Sequence, residues 1–487
     1  MTAQENYTFE DYRNGMPPRA FGSETEFNDT GSYGELYNIS NESGGRYGGP
    51  PHILKIMNKA HSVSYSNTYG FYDAITVNGG RLYLDCEVIE FATPECRTPQ
   101  ELVLHERLGE VIARETLEQA EEYINQKDIN VYKRSGTSAV YIDDKRVIAE
   151  DSLGNHENYT SLNEFSHFRP NIRISMHAQS RNAKHFADYL ALRKIIDGIG
   201  MVDTDGYSIS QRPRANDFRQ FDGVTKHGTK RPFFQIEDRM EVRTGEGNKS
   251  DWAVEFKFGL TSLVLRLVEH DQFPRHLILR DPRKTVRDLS ADPLSEVTLI
   301  TAKKRRGIDA LKEIVDAAVE LGMQYPEFPA YEKKAANDFY KFYDDLQRVS
   351  LADHDVSALS DRIDWAARFE YLVKRGASYE TLNTSNLDYV RDDLKWDQLG
   401  DRDIARRHFS KFGHTVLRAQ ILGPPPTRAA TRVRLARELF ANNTLASVDW
   451  NEVVSKKDIR YELKNPLSQD DVYSYRQSST NASDKED

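Results

Sequence analysis

Acidic residues recur at alternate positions in two extended segments near the N-terminus, and this pattern constrains the fold most. Glu24 and Glu26 stand two positions apart, and Tyr83 stands two positions before Asp85, with Glu90 following. Side chains two apart in a β-strand point to the same face of a sheet. The pattern therefore predicts strands that present several carboxylates on one face. Clustered carboxylates repel one another unless a cation lies among them, and Mg²⁺ prefers such hard oxygen ligands.

Two acids at alternate positions are more often a solvated strand face than a site, so Glu24 and Glu26 alone favour no function. Asp85 and Glu90 are different, because they lie in an apolar run where an unpaired carboxylate would be costly. A shared site for a metal ion and a nucleotide explains both groups of acids. We therefore interpret the four carboxylates as one candidate site.

Composition and charge exclude several classes of protein. The chain has 487 residues, of which 38% are hydrophobic, enough for a sizeable core and more than one domain. A net charge of −10 argues against nucleic-acid binding, which depends on clustered Lys and Arg. Two cysteines, no long apolar segment and no signal-like N-terminus argue against a disulfide scaffold, a membrane span and export. We expect a soluble cytoplasmic protein with no nucleic-acid or membrane partner.

The order of segments predicts an α+β protein. Strand-like stretches come first, helices follow, and Gly423-Pro424-Pro425-Pro426 breaks the chain before a basic helix at 427–441. An earlier helix opens on the capping box Thr98-Pro99-Gln100-Glu101. The predicted parts are a flexible N-terminal arm at 1–20, a large domain with a curved antiparallel sheet packed by helices at 21–404, a small C-terminal domain at 405–475 and a disordered tail at 476–487.

A series of short motifs follows in order along nearly the whole chain. The motifs are Asn78-Gly79-Gly80-Arg81-Leu82-Tyr83-Leu84-Asp85, Glu90-Phe91-Ala92-Thr93-Pro94-Glu95-Cys96, Gly154-Asn155-His156-Glu157-Asn158-Tyr159, Ser210-Gln211-Arg212, Arg231-Pro232, Ile363-Asp364-Trp365, Pro425-Pro426-Thr427-Arg428-Ala429 and Val448-Asp449-Trp450. Together they resemble the Pup ligase and depupylase family, which belongs to the glutamine-synthetase-like carboxylate–amine ligases. The resemblance implies a glutamine-synthetase-like fold for the large domain.

The resemblance also implies roles for single positions. It implies that Glu24, Tyr83 and Glu90 bind magnesium and that Asp85 is the catalytic base. Glu26 and His156 match further positions of the metal site. The residues implied to bind the nucleotide cofactor are Arg81, Thr93, Trp450, Arg212, Arg428 and Arg432.

Four of these residues have ordinary alternatives when the family is set aside. Arg428 and Arg432 stand four apart on one face of the basic helix, where they are placed to meet nucleotide phosphates or form a surface charge pair. Trp450 alone would more often be a core residue. His156 alone would more often be structural.

The implied reaction joins a carboxylate to an amine at the expense of ATP, with Mg²⁺ as the metal. In the family, the donor is typically the γ-carboxylate of the C-terminal Glu of Pup, a small disordered ubiquitin-like protein. The acceptor is a lysine on a target protein, and the product is an isopeptide bond. A carboxylate is a poor acyl donor, so ATP first converts it to an acyl phosphate, and Asp85 takes the proton of the attacking amine.

The direction of the reaction is open on sequence grounds. Depupylases of the family carry a long insertion between the first two strands, whereas only 50 residues separate Phe27 from Asn78 here. This favours a ligase. The spacing of five from Asp85 to Glu90 instead resembles the depupylases.

The chain also departs from the family pattern at two places. Residues 134–137 and 235–239 differ from it, and Glu241 stands near the place of a family histidine. A divergent member that acts on another carboxylate, or a non-catalytic nucleotide-binding or Pup-binding protein, is therefore a further interpretation.

Overall fold

The computed structural model describes residues 11, 14–29, 62–68, 71–85, 88–124, 131–133, 140–142, 145–148, 154–161, 181–203, 206–210, 212, 233–236, 239–383, 389, 395–397, 409 and 423–476. Within these ranges the chain is an α+β protein, as predicted. A large antiparallel sheet is backed by helices, and a small module of one helix and four strands follows at the C-terminal end.

The strands come in hairpin-like groups along the chain. In chain order they are β1 (Phe21–Asp29), β2 (Ser62–Thr68), β3 (Phe71–Thr76), β4 (Arg81–Asp85), β5 (Val88–Ala92), β6 (Val131–Tyr132), β7 (Val140–Ile142), β8 (Lys145–Ile148), β9 (Asn155–Thr160), β10 (Met201–Asp203), β11 (Gly206–Ser208), β12 (Phe233–Ile236), β13 (Arg239–Val242), β14 (Glu296–Thr298), β15 (Lys304–Arg306), β16 (Leu445–Val448), β17 (Glu452–Ser455), β18 (Ile459–Glu462) and β19 (Tyr473–Arg476). The main sheet has the order β12-β13-β9-β1-β5-β4-β3-β2, with β6 beside β1.

The helices lie mostly in the second half of the chain. In chain order they are α1 (Pro99–Ile124), α2 (Arg181–Leu192), α3 (Lys194–Asp197), α4 (Asp251–Glu269), α5 (Pro282–Ala291), α6 (Gly307–Gly322), α7 (Ala330–Leu346), α8 (Asp364–Val373), α9 (Tyr379–Asn383) and α10 (Arg428–Ala441). α1 packs on β1 and β5, and α4 packs on α1, α6 and α7. No helix among the described residues is both long and apolar enough to cross a bilayer.

Two helix starts match their sequence signals. The Thr98 hydroxyl accepts a hydrogen bond from the amide of Glu101, as predicted for a capping box. In a capping box the glutamate would accept a hydrogen bond from the backbone amide of the cap residue, Thr98. Here the Glu101 carboxylate accepts one from the backbone amide of Arg97, at 2.7 Å. The basic helix α10 has Thr427 as its N-terminal cap, and the Thr427 hydroxyl accepts a hydrogen bond from the amide of Ala429.

Alternation of burial along β1 fixes which face of the sheet meets the helices. Phe21, Thr25 and Phe27 are buried, whereas Glu24 and Glu26 are only half-buried. Since side chains alternate along a strand, the apolar set lies on the helix-covered face and the acidic set on the other. The helices therefore leave the acidic face of the sheet available for a site.

The C-terminal module has a small core of its own. α10 and the four strands β16 to β19 bury Val433, Val448, Val453 and Leu463, and Ile75 of β3 joins this cluster. α10 and β16 also contact β2. The module thus docks on the β2–β3 end of the main sheet. The predicted start of this domain at 405 lies outside the described residues, and Arg476, assigned to the tail, is the last residue of β19.

The prediction of a flexible N-terminal arm is wrong for residues 16–20. Met16, Arg19 and Ala20 are buried. The Arg19 guanidinium makes two hydrogen bonds to the carboxylate of Glu269 at 2.7 and 2.5 Å, and it also binds the carbonyl of Thr160. A buried bidentate ion pair fixes this segment against α4, because neither charge could remain buried without the other.

Candidate active site

The acidic strands lie side by side in the main sheet. β1 pairs with β5, and β5 pairs with β4, so that Glu26 lies opposite Glu90 and Glu90 lies opposite Tyr83. Residues directly opposite in antiparallel strands share one face. Both predicted segments are extended, and the second one forms two strands that pair with each other.

Two further strands extend this face. β9 places His156 opposite Glu24, and β13 places Glu241 opposite Asn158. The predicted metal residues Glu24, Glu26, Tyr83, Glu90 and His156 thus come from four neighbouring strands and lie on one face. The sheet brings the carboxylate of Glu24 together with an imidazole and an amide more than 130 residues later in the sequence.

Glu24 is held by three polar neighbours. Its carboxylate lies 3.2 Å from Nδ1 of His156, and it accepts hydrogen bonds from Nδ2 of Asn158 at 3.1 Å and from Nη1 of Arg239 at 3.3 Å. Burial alone would raise the pKa of Glu24, but the His156 hydrogen bond and the two cations lower the pKa to about 2. Glu24 is therefore ionised at neutral pH.

His156 is the positive partner in this cluster. Burial alone would lower its pKa, but the hydrogen bond to Glu24 and the negative charges of Glu241, Glu24 and Glu26 raise the pKa to about 9. Glu241 lies 3.8 Å from Nδ1 of His156. The imidazolium thus offsets the charge of the surrounding carboxylates, and it must lose its proton before it can bind a metal.

Glu24, Glu90 and His156 form a candidate metal centre. Each offers a ligand atom, and these atoms all lie within 4.8 Å of one another. Two ligands on opposite sides of an ion with bonds of about 2.1 Å lie about 4.2 Å apart, so a small divalent cation fits after a slight shift. The carboxylates suit Mg²⁺ or Mn²⁺, whereas an imidazole suits softer metals. The residues present therefore fit Mg²⁺ on the two glutamates.

Glu26 and Tyr83 flank this centre. Glu26 accepts a hydrogen bond from the amide of Gly154, so one of its oxygens is engaged by the protein. Tyr83 lies on β4 directly opposite Glu90. Glu26 is not part of the cluster of Glu24, Glu90 and His156. The role of Glu26 and Tyr83 as metal ligands stays a prediction.

Replacing Glu24 with glutamine is expected to weaken Mn²⁺ binding about tenfold or more, because the change removes a charged ligand and keeps its shape. Titration of the nucleotide-free protein with Mn²⁺, followed by electron paramagnetic resonance, measures this affinity. Glu452→Gln is the control, because Glu452 pairs with Arg460 on the sheet of the C-terminal module. Equal Mn²⁺ affinity of Glu24→Gln and the wild type would remove Glu24 from the metal centre.

A cavity of about 300 Å³ lies against the acidic face. Apolar walls come from Phe21, Ala92, Tyr159, Trp450 and Pro466, and polar walls come from Glu24, Thr93, Asn158, Arg239 and Arg428. The main sheet supplies one side and the C-terminal module the other. A mainly apolar cavity with a few convergent polar groups is typical of cofactor sites. Four residues predicted for metal or ATP line it, namely Glu24, Thr93, Arg428 and Trp450.

Arg81 and Trp450 meet beside this cavity. The guanidinium carbon of Arg81 lies 5.0 Å from the centre of the Trp450 ring, in range of a cation–π contact. Arg81 also donates to the carbonyl of Val448 and lies 3.3 Å from the carboxylate of Asp449. The motifs around Arg81 and Trp450 are therefore in contact, although Arg81 does not line the cavity.

Glu95 joins the loop after β5 to helix α10, and no role was predicted for it from the sequence. Its carboxylate accepts hydrogen bonds from Nε of Arg428 at 2.7 Å and from Nη1 and Nη2 of Arg432 at 3.0 and 2.9 Å. Glu95 stands two residues after Thr93 in one of the family motifs, and this position could have pointed to a role at the site. No local pattern links it to arginines more than 300 positions later.

The position of Arg432 gives no support to the prediction that it meets nucleotide phosphates. Its side chain is fully buried, and besides Glu95 it donates to the carbonyls of Trp450 at 2.7 Å and of Gly79 at 2.8 Å. Four of its N–H groups are thus used inside the protein, which is why Arg432 does not face the cavity. Arg428 does line the cavity, with its side chain 17% exposed.

The Glu95 ion pairs predict how stability depends on pH. Burial alone would raise the pKa of Glu95, but Arg432 and Arg428 lower the pKa to about 2. A lowered folded-state pKa stabilises the fold above the unfolded value of about 4.5, and this contribution is lost as the pH falls toward 2. The Glu95→Gln variant should therefore lose on the order of 3 kcal/mol at pH 7, and the loss should shrink toward pH 2.

Urea unfolding of the wild type and Glu95→Gln at pH 7, 4.5 and 3 measures this dependence. A difference in unfolding free energy that stayed constant between pH 7 and pH 3 would contradict the assigned ion pairs.

The structure gives no support for the predicted roles of two further residues, Arg212 and Asp85. Arg212 is buried and donates to the carbonyl of Gly245 at 2.7 Å, away from the cavity and beside Gly154. The predicted contact of Arg212 with the cofactor has no support from this position. The backbone of Asp85 ends β4 opposite Val88, and its side chain lies outside the part of the chain that the structure describes.

Arg239 lines the cavity, although in the sequence it stands out only as part of a departure from a family pattern. Besides Glu24, it binds the amide oxygen of Asn158 at 3.2 Å and lies 2.9 Å from the carboxylate of Glu241. Its side chain is 41% exposed. Asn158 stood in a quoted motif, whereas no pattern in the sequence singled out Arg239 as a cavity residue.

A family model and curated relatives match most of the chain. The family model described as Pup-ligase protein matches residues 11–454. The Pup–protein ligase of Acidimicrobium ferrooxidans is 27% identical over 429 residues, which cover 81% of this chain and 86% of that protein. The depupylase of Acidothermus cellulolyticus is also 27% identical, over 79% of this chain and 75% of that protein.

Two solved structures share the fold. The complex between Pup and its ligase PafA matches with a TM-score of 0.71 and 20% identity, covering 95% of this chain and 91% of that chain. The complex of the Pup ligase PafA with ADP matches with a TM-score of 0.65 and 20% identity, covering 86% and 91%. The match of the family model over nearly the whole chain is decisive: the protein belongs to the Pup ligase family.

Proposed function

We propose that this protein is an ATP- and magnesium-dependent carboxylate–amine ligase. It joins the γ-carboxylate of a glutamate, at the C-terminus of Pup or a Pup-like protein, to the amine of a lysine on a target protein. The solved relatives bound to Pup and to ADP, together with the Pup–protein ligase of A. ferrooxidans, support this choice of substrates.

The observation that carries the proposal is the position of the cavity. Glu24 belongs both to the candidate metal centre and to the cavity wall, and Trp450 and Arg428 form the opposite wall. A nucleoside triphosphate needs this combination, because its base favours an aromatic surface and its phosphates favour cations. The phosphates would then point toward Glu24 and Glu90.

Different residues of the site would bind the base, the phosphates and the metal ion. Trp450 offers an aromatic surface for the base, and Arg428 and Arg239 supply fixed positive charge for phosphate oxygens. When bound on Glu24 and Glu90, Mg²⁺ would neutralise the β and γ phosphate oxygens and the charge that develops during phosphoryl transfer. Transfer of the γ-phosphoryl group to the substrate carboxylate forms an acyl phosphate and releases ADP.

The second step forms the isopeptide bond. The lysine nitrogen attacks the acyl carbon, the C–N bond forms, and the C–O bond to phosphate breaks. A protonated lysine has no electron pair for this attack, so a base must take a proton. Asp85 ends β4 two positions beyond Tyr83, and alternation along a strand predicts that the two side chains share a face. We assign this role to Asp85.

Hydrolysis of the same amide bond is the alternative function. The depupylase of A. cellulolyticus is as similar in identity as the ligase of A. ferrooxidans. The short segment between Phe27 and Asn78 favours the ligase, and the spacing from Asp85 to Glu90 favours the hydrolase. We give the segment length more weight.

Two parallel incubations with ATP and Mg²⁺ separate these functions. One contains free Pup with a C-terminal Glu and a lysine-bearing protein, and the other contains a preformed conjugate. Growth of the conjugate in the first supports the ligase. Loss of the conjugate in the second supports the hydrolase. No change in either, with ATP bound, contradicts Pup as the substrate.

A further inference from the structure

We propose that Glu95 is a positioning residue that sets the nucleotide cavity by holding Arg428 and Trp450 in place. The inference rests on the proposed function only in that the cavity takes a nucleoside di- or triphosphate. Glu95 lies at the edge of the cavity, two residues after Thr93, where the main sheet meets the C-terminal module.

The Glu95 carboxylate holds one guanidinium directly at the cavity. The carboxylate accepts a hydrogen bond from Nε of Arg428 at 2.7 Å. The Arg428 side chain is 17% exposed and lines the cavity. The Arg428 side chain otherwise binds the carbonyl of Leu463 at 3.4 Å. A charge-assisted hydrogen bond of this kind restricts a long side chain to one orientation.

Glu95 acts on Trp450 through Arg432. Both carboxylate oxygens bind Arg432, whose guanidinium donates to the Trp450 carbonyl at 2.7 Å and lies 4.8 Å from the centre of the Trp450 ring. Arg432 is fully buried, so this connection is shielded from water. The backbone and the ring of Trp450 are therefore fixed by a guanidinium that Glu95 orients.

Charge explains why a carboxylate is needed at this point. Arg428 and Arg432 share one carboxylate, and Arg81 lies on the same Trp450 ring. Three guanidinium groups would repel one another without a nearby anion. The carbonyl of Glu95 also accepts a hydrogen bond from the hydroxyl of Thr427, the cap of α10, at 2.9 Å. One residue thus fixes the start of the helix and two residues of the cavity wall.

The test measures ADP binding in the presence of Mg²⁺ by isothermal titration calorimetry. Glu95→Gln removes the charge and keeps the shape, so we expect ADP affinity to fall about tenfold or more. Glu95→Asp keeps the charge and should recover part of the affinity, and it serves as the second variant if Glu95→Gln does not fold. Glu452→Gln, whose ion pair with Arg460 lies on the module's own sheet, should bind ADP as the wild type does.

Steady-state kinetics separate positioning from a merely structural role. In conjugate formation, Glu95→Gln and Glu95→Asp should raise the KM for ATP and leave kcat at saturating ATP within about threefold. Wild-type ADP affinity in Glu95→Gln, or a fall in kcat with unchanged KM for ATP, would overturn the inference. Failure of the wild type to bind ADP would instead contradict the proposed function.

Discussion

Replacing Asp85 with asparagine should reduce conjugate formation by about 10²–10⁴-fold, the usual contribution of a general base. Asp85 ends β4 two positions after Tyr83, which lies opposite Glu90, and alternation along a strand predicts that Asp85 and Tyr83 share a face. Asparagine has nearly the same shape but cannot take a proton from the attacking amine. ADP affinity should stay within about threefold of the wild type, because the variant keeps Glu24, Thr93 and Trp450 in the cavity.

Single-turnover conjugate formation and ADP titration, performed on the same preparation, check both parts of this prediction. Asp338→Asn is the control, because Asp338 pairs with Lys334 on the surface of α7. Conjugate formation at the wild-type rate would show that Asp85 is not the base. A loss of ADP affinity as large as the loss of rate would show that Asp85 acts in nucleotide binding instead.

Replacing Arg193 with methionine should lower the free energy of unfolding by about 3–5 kcal/mol, the range for breaking a buried ion pair from one side. Arg193 is fully buried behind β9. It donates to both oxygens of Glu157 at 2.8 and 2.6 Å and to Asp197 at 2.8 Å. Methionine fills similar space but leaves two buried carboxylates without this cation.

This prediction links the buried charges to the site, because Glu157 lies between His156 and Asn158 on β9. Equilibrium unfolding in urea measures the effect. Arg306→Met is the matched control, because Arg306 pairs with Asp309 at 2.9 Å on the surface, where such a pair contributes less than about 1 kcal/mol. A loss below 1 kcal/mol in Arg193→Met would contradict the importance of the buried pair.

Local patterns predict the elements that local physics determines. Alternation at Glu24 and Glu26 predicts a strand, and β1 confirms it. The cap at Thr98 predicts the start of α1, and the break at Gly423 predicts the start of α10. Each of these signals depends on neighbours within a few positions of the chain. For that reason a single sequence is sufficient to read them.

Contacts between distant residues are not predictable in this way. The bond of Arg19 to Glu269 joins positions 250 apart, and it makes a polar, proline-containing segment part of the core. The bonds of Glu95 to Arg428 and Arg432 are likewise invisible to local patterns. The family resemblance placed Arg428 at the cavity but also suggested Arg432, whose N–H groups are used by Glu95, Trp450 and Gly79.

The set of side chains on the acidic face of the main sheet could be predicted only in part from the sequence. Period-two alternation tells which side chains share a face of one strand, but not which strands are neighbours. The strand pairing in the structure shows which strands are neighbours, and its register places Glu26 opposite Glu90 and Glu24 opposite His156. The same register brought in Arg239 and Glu241, which the sequence had marked only as departures from a pattern.

A crystal structure with ADP and Mn²⁺, with the anomalous signal of manganese recorded, tests most directly whether the acidic face and the cavity form one nucleotide site. We expect a manganese peak within bonding distance of Glu24 and Glu90, the diphosphate next to it, and the adenine beside Trp450. A manganese peak elsewhere on the protein, or ADP bound away from Trp450, would contradict this account.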